Sequence, residues 1–429
     1  MNSKNSEKLM YSMLNIKPKK LLILLMSMPA FLHAQVLPLD SVLALIERNN
    51  SMIQMYDAKA SALNTYAEGA TAWEAPKIGT GFWMAPYNPN LWRVDPQTGA
   101  PGMGSYMISV EQMIPNNQKL KARQSYMQSM SGEQTETKNY IKNQLFAEAG
   151  KTYYEWVILK KKLAVQKESE ALINIMIQSA EAHYAYNKEK LGTIYKAKAK
   201  LAELQSMVLM TENEIEQKIV FLNSLMNRDQ NILFDVDTAY QVKNYVMPDS
   251  ALISQNRSDL KAIDRSIEIL KYKQSLERLK SNPDFGVRYD HMFAFGNANQ
   301  FNLMAMMTLP LAPWSAKEYK ANAKAIDFEI EEMELQKQSI LNETAGKLSS
   351  LLLAIENSKR QVKIYAESIL PALHNNFKTS QLAYEQNTED LFVMLDAWEA
   401  LNMAKMEYFN NVGALLSLQV EYERELEQK

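Results

Sequence analysis

The sequence predicts a mainly α-helical protein with a small β part. Long coiled-coil hairpins carry four short strands of transmembrane type, and the whole unit is written twice in tandem. Three observations lead there. Proline and glycine nearly vanish over two very long stretches, four short segments alternate apolar with polar residues, and the chain superposes on itself at a nearly constant offset.

The N-terminal segment stands apart. Residues 1–34 carry Lys4, Lys8, Lys17, Lys19 and Lys20 against Glu7, then the apolar run LLILLMSMPAFL (21–32), then the small residue Ala34. This order describes an export signal removed before Gln35. The run falls short of the roughly 20 residues that a membrane-crossing helix needs. The whole chain has a formal charge of −2 and this leader +4, so the remainder is acidic, at −6. That argues against a nucleic-acid partner. No later stretch is apolar enough for a transmembrane helix, and the absence of cysteine excludes disulfides, thiolate catalysis and lipidation at an N-terminal cysteine.

The duplication orders the rest. NNSMI (49–53) matches NRSDL (256–260), and APKIG (75–79) matches NPDFG (282–286), both at an offset of 207. Beyond the next strand the offset becomes 195, which carries Pro115 to Pro310 and GTIYKAKAKLA (192–202) to NTEDLFVMLDA (387–397). The difference of twelve residues falls mainly in one loop, APYNPNLWRVDPQTGAPGMGS against AFGNANQ. Two copies are therefore expected, at residues 36–235 and 248–429.

Each copy begins with a pair of strands, at about 77–85 and 105–114, then about 284–294 and 301–310. The first is the weakest, with Ile78, Phe82 and Trp83. In the second, Tyr106, Ile108, Val110 and Ile114 oppose Ser109 and Glu111. In the third, Phe285, Val287, Tyr289 and Phe293 oppose Arg288 and Asp290. In the fourth, Phe301, Leu303, Ala305, Met307 and Leu309 alternate with Asn302, Met304, Met306 and Thr308. Strands of about 9–11 residues with one apolar face suit the wall of an outer-membrane barrel. One such segment would suit a soluble sheet equally; four, paired around Asn/Gly/Pro loops in an exported chain, point to the barrel. Pro115 and Pro310 end the ladders because proline has no N–H to donate.

Beyond these prolines the chain turns helical, over about 116–225 and 315–420. A 70-residue helix reaches about 100 Å at 1.5 Å per residue. Ile194, Ala197, Leu201, Leu204, Val208, Thr211, Ile215, Ile219, Leu222 and Leu225 step mostly by three and four, as a coiled-coil seam does. Four strands cannot close a barrel, and an open edge in lipid leaves unpaired backbone groups, so copies must share one barrel. A dimer would supply eight strands and a packed interior; a trimer supplies twelve and a lumen.

The residues LDSVLALIERNNSMI (39–53), QMIPNNQKLKARQ (112–124), LGTIYKAKAKLAEL (191–204), NRSDLKA (256–262), ILPAL (369–373) and AYEQNTEDLFVMLDAWEAL (383–401), in this order and duplicated, resemble the TolC family of outer-membrane efflux channels. The resemblance covers residues 36–429. It implies a homotrimer forming a twelve-stranded barrel in outer-membrane lipid, standing on a long periplasmic helical barrel in a Gram-negative bacterium. It also implies an inner-membrane pump and a periplasmic adaptor as partners, as in an RND efflux system. Gly192, Thr193, Asn387, Thr388, Glu389 and Asp390 are expected at the helix-turn-helix tips that meet the adaptor. The resemblance also places Asp396, in VMLDA, at the closed periplasmic constriction, where three carboxylates would favour cations. Two positions depart from the pattern: Ala383-Tyr384 lacks the family's arginine, and Glu189 stands where a tyrosine is usual.

No catalytic constellation is present, so the chain is expected to be no enzyme and to need no cofactor. His183, His291 and His374 are scattered without metal-ligand spacing, and His291, near a strand end, suits an interfacial position. Thioethers can hold Cu(I), and Met304 and Met306 face the lumen side. Methionine also fills irregular gaps, and no metal site is assigned. The junction SVEQMIPNNQKLKAR looks somewhat like the heavy-metal branch, leaving metal cations and drugs both open as exported solutes. Alternatives are a trimeric porin-like uptake pore, which needs no long helices, and a periplasmic coiled-coil adaptor or structural protein, which needs only one hairpin.

Overall fold

The computed structural model describes residues 35–427; the expected export signal lies outside them. The first repeat opens with strand β1 (Gln35–Leu37) and helices α1 (Leu39–Asn49) and α2 (Ser51–Glu68). Strands β2 (Lys77–Trp83) and β3 (Ser105–Ile114) follow, then helices α3 (Asn117–Tyr184) and α4 (Leu191–Leu225). After the short β4 (Phe234–Val236), the second repeat runs through α5 (Ser250–Asn256), α6 (Ser258–Leu279), β5 (Asp284–Ala294), β6 (Gln300–Thr308) and α7 (Pro313–Ile364). Helices α8 (Leu370–Glu385) and α9 (Leu391–Leu426) complete it. The helices that precede each strand pair, and the parallel β1–β4 pair, were not expected from the alternation pattern. Among the described residues no helix is long and apolar enough to cross a membrane.

Local chemistry sets the junctions. Pro115 ends the β3 ladder, and Asn116 then caps α3 by accepting the Gln118 N–H at 2.9 Å. Pro313 sits at the start of α7, where its missing N–H costs nothing. Between α7 and α8, residues Tyr365–Ile369 form a π-helical turn. Pro371 accounts for it: its ring crowds the carbonyl one turn back, and the wider turn makes room.

The 68-residue α3 organises the molecule. Toward the sheet it packs beside α2 and α6, with α7 outside α6; farther along, it packs against α4 and α9, with α8 against α9. Buried clusters lie at both levels. One joins Val42, Ile46, Tyr153, Trp156, Leu222 and Phe234 around the waist; another joins Ile173, Ala180, Ile194, Leu204, Phe377 and Trp398 in the hairpins. The coiled-coil seam of α4 is buried at Ile194, Ala197, Leu204, Val208, Thr211 and Leu222. The second repeat is fastened at the waist by Arg257, which donates to Glu425 at 2.8 Å and to Asp259 at 2.6 Å. No residue of the four-stranded sheet belongs to any of the four buried apolar clusters.

Candidate functional site

Two regions can act on a solute or a partner: the sheet, and the helical turns at the other end of α3. The sheet order is β2-β3-β5-β6, antiparallel throughout, so its two central strands come from different repeats. The outer strands β2 and β6 each keep one edge unpaired within the chain.

Register assigns every strand residue to a face. Ile78, Val110, Tyr289 and Leu303 form one cross-strand row, and Thr80, Ile108, His291 and Phe301 the next. This face is uncovered: Ile78, Phe301 and Leu303 are 74%, 70% and 64% exposed. His291 stands in it, edge-on to Phe293 with centroids 4.5 Å apart, one row from the end of β5. The opposite face is polar and crowded. Arg288 Nε donates to Asp290 at 2.9 Å and Asn302 Nδ2 to the same carboxylate at 3.5 Å, burying it to 3% exposure. Lys77 and Glu111 pair at 3.9 Å. A Cβ on Gly79 would meet Ser109 Oγ at 2.7 Å, and one on Gly286 would meet Met113 Sδ at 2.6 Å. The crowding is local, since Gly81 on the same face has nothing within 4 Å of its Cβ position. Met304 and Met306 share this face. Among the described residues no group of three or more histidine or carboxylate side chains could hold a metal ion.

At the other end, α3 reverses into α4 and α8 into α9. Asn187 and Asn387 each take φ 57°, a left-handed conformation that asparagine tolerates better than most residues. The N–H groups of both donate three residues back, to Tyr184 O and Tyr384 O, at 3.0 Å each. Thr388 anchors the second turn twice on the Ala383 carbonyl, through N and Oγ1, at 2.9 Å each. Lys190 bridges to Asp390 at 3.3 Å, bringing the two turns together.

Asn387, Thr388 and Glu389 lie in the second turn and Asp390 stands just before α9 without a capping side-chain hydrogen bond, but Gly192 and Thr193 do not form the first turn. They lie in the opening turn of α4, with ordinary helical geometry, and the reversal is made at Asn187. The register explains the displacement. Here Tyr184, Asn187, Glu189 and Leu191 correspond to Tyr384, Asn387, Glu389 and Leu391, an offset of 200 rather than 195, because the second repeat runs five residues longer from strand to turn. The tyrosine equivalent to Tyr384 is therefore Tyr184, not Glu189. Asn187, and Lys190 as the partner of Asp390, were missed; the repeated Tyr-x-x-Asn-x-Glu-x-Leu spacing was the signal that could have found them.

Asp396 lies on α9 about one and a half turns past its start. Its neighbours Met394, Leu395, Ala397 and Trp398 are buried in the hairpin core, whereas Asp396 is exposed beside Phe392. From α4, Lys196 sits over the Phe392 ring at 3.8 Å and Lys200 pairs with Glu399 at 2.9 Å. His183 packs against Tyr384 at 5.3 Å, and burial holds the Tyr384 hydroxyl above its ordinary pKa.

No family model matches the sequence, and no curated protein matches it. Solved structures match the fold over nearly the whole chain. The structure of CusC, described in work on transmembrane channel formation, matches with a TM-score of 0.72 at 12% identity, covering 91% of this chain and 92% of that one. The Campylobacter jejuni CmeC outer membrane channel gives 0.69 at 14% identity, with 90% and 85% covered. The open Neisseria gonorrhoeae MtrE outer membrane channel gives 0.69 at 11%, with 91% and 89% covered. The fold of this chain is the TolC-like one.

Proposed function

We propose that the chain is the outer-membrane exit channel of a tripartite efflux system: a homotrimer that passively conducts solutes from an inner-membrane pump and a periplasmic adaptor to the exterior. One observation carries the reading. The sheet shows a bare apolar face to one side, a polar face to the other, and two edges unpaired within the chain, and it stands on helices about 100 Å long. In water the apolar face would be a large sticky patch; in lipid it is the expected wall, with edges paired to copies of the same chain. A pore formed without partners would leave the long hairpins unexplained. The matched structures support the fold of such a duct, and CmeC and MtrE are described as outer membrane channels.

In this reading the Asn187 and Asn387 turns are the periplasmic tips, and Lys188, Thr388 and Glu389 meet the adaptor. The sheet loops then face the exterior. Whether metal cations or drugs pass is a property of the pump that delivers them. The reading is tested with single cysteines at Lys188 and Thr388, which no native cysteine confuses. Both should crosslink to an adaptor in intact cells. Crosslinks from the loop 86–104 instead would reverse the orientation and overturn the assignment.

A further inference from the structure

The long loop between β2 and β3 has no counterpart of similar length in the second repeat, and its fold is built rather than slack. Asp95 accepts the Gln97 N–H at 2.8 Å and the Thr98 hydroxyl at 2.7 Å, Met103 N donates to Leu91 O at 2.8 Å, and Trp92 Nε1 donates to Pro86 O at 2.8 Å. Gly102 is wedged where a Cβ would stand 2.3 Å from Trp92 O, and Gly104 turns at φ 90°.

What matters is the side on which this loop rests. Phe82 belongs to the outward apolar face, one row beyond Thr80, and pairs in register with Tyr106, which pairs with Phe293. The loop lays Trp92 onto that row, 5.0 Å from Phe82, and stacks it on Phe295 at 5.3 Å with the rings nearly parallel. Phe295 N donates to Gly104 O at 3.0 Å, and a Cβ on Gly296 would meet Val94 Cγ2 at 2.6 Å. The loop therefore crosses above β3 and β5, away from the unpaired edge of β2 where a neighbouring copy would pair. Its own outer surface carries exposed Tyr87, Leu91 and Val94 beside exposed Arg93. Asp95 spends its carboxylate inside the loop, and among the described residues no carboxylate pairs with that arginine.

We propose that residues 84–104 form an apron on the outward face of the sheet that beds into the headgroup layer of the outer leaflet, leaving the mouth of the channel uncovered. This rests on the membrane reading above. Tryptophan and tyrosine favour the membrane interface, and a guanidinium beside them matches the fork geometry of a lipid phosphate. The apron continues the exposed apolar band of the strands, which is why lipid, rather than a soluble protein, is the occupant.

Nitroxide labels on Leu91→Cys and Val94→Cys, with Leu303→Cys as the strand reference, can be read in vesicles of phosphatidylethanolamine and phosphatidylglycerol by collision with oxygen and with a water-soluble nickel complex. The labels at 91 and 94 should favour oxygen, and Trp92→Ala should invert that preference while leaving single-channel conductance unchanged. Arg93→Glu should shift both labels toward water in these vesicles, and inorganic phosphate added in detergent micelles should not reproduce the lipid effect. Nickel-dominated collisions at 91 and 94 with a lipid-buried label at 303, a conductance increase in Trp92→Ala, or an equal response to free phosphate would each overturn the apron. A water-exposed label at 303 would instead overturn the membrane reading itself.

Discussion

Replacing Arg257 by alanine tests how the two halves of the second repeat are joined. The guanidinium is 10% exposed and forks between Asp259, at 2.6 Å, and Glu425, itself 8% exposed, at 2.8 Å. It also donates to the Glu425 carbonyl at 2.9 Å. It thereby ties the start of α6, which leads to the strands, to the end of α9, which comes up from the turns. Removing it leaves the buried Glu425 carboxylate with Arg424 alone, at 2.7 Å, so the cost should lie near the lower end of the about 3–5 kcal/mol that breaking a buried pair from one side takes. Replacement by lysine should restore only part of this, because an ammonium cannot fork. Burial opposes ionisation of Glu425, but hydrogen bonds from Arg424 and Arg257 outweigh it and hold its pKa below the ordinary carboxylate range. A depressed pKa contributes stability that is present above the unfolded-state value and is lost as pH falls through the folded one. The gap between wild type and Arg257→Ala should therefore be full at pH 7 and shrink in acid below the normal glutamate range. Denaturant unfolding of the detergent-solubilised protein, followed by far-UV circular dichroism across pH, measures it. A loss under about 1 kcal/mol at pH 7, in the range of ordinary substitutions, would refute the joint.

Glu427 should behave in the opposite sense. Burial holds its carboxyl above the ordinary value although Ser258 donates to it at 2.6 Å, so its contribution is full in acid and lost as pH rises through the raised value; Glu427→Gln should raise neutral-pH stability and flatten the acid side of the same curve. At the turns, Asn387→Ala forces a left-handed φ on a residue that resists it and should cost about 1 kcal/mol, whereas Asn387→Gly should be close to neutral; equal losses would show that the asparagine side chain, not φ, is what matters. Asp396→Asn should lower cation selectivity and weaken block by multivalent cations in planar bilayers with assembly unchanged; unchanged selectivity and block would place Asp396 away from the solute path.

Much of the fold was legible because it rests on strong periodic signals. Alternation over 106–114, 285–293 and 301–309 marks strands whichever neighbours they have, and the resulting register puts their alternating apolar residues on one face. The stretches nearly free of proline predict the long helices, and Pro371 interrupts the one in which it sits. Two things were not legible. The short helices at 39–68 and 250–279 lack a long uninterrupted seam of their own and owe their packing to α3, α7 and α9. In the first repeat a fixed offset does not register the five residues added between β6 and the second turn, so it sets Gly192 opposite Asn387 where the structure sets Asn187. In the proposed assembly, what the exposed side of Asp396 faces would be set by helices of neighbouring copies, which one chain's sequence does not encode.

The central claim is that copies of this chain close one barrel around a lumen, and its most direct test is assembly with conduction measured on the same sample. Protein solubilised from outer-membrane fractions should migrate as a trimer without heating and as a monomer after heating, and that trimer should form discrete conductance steps in planar bilayers. A soluble monomer in the periplasmic fraction, or a trimer that inserts without conducting under any applied voltage, would contradict the account.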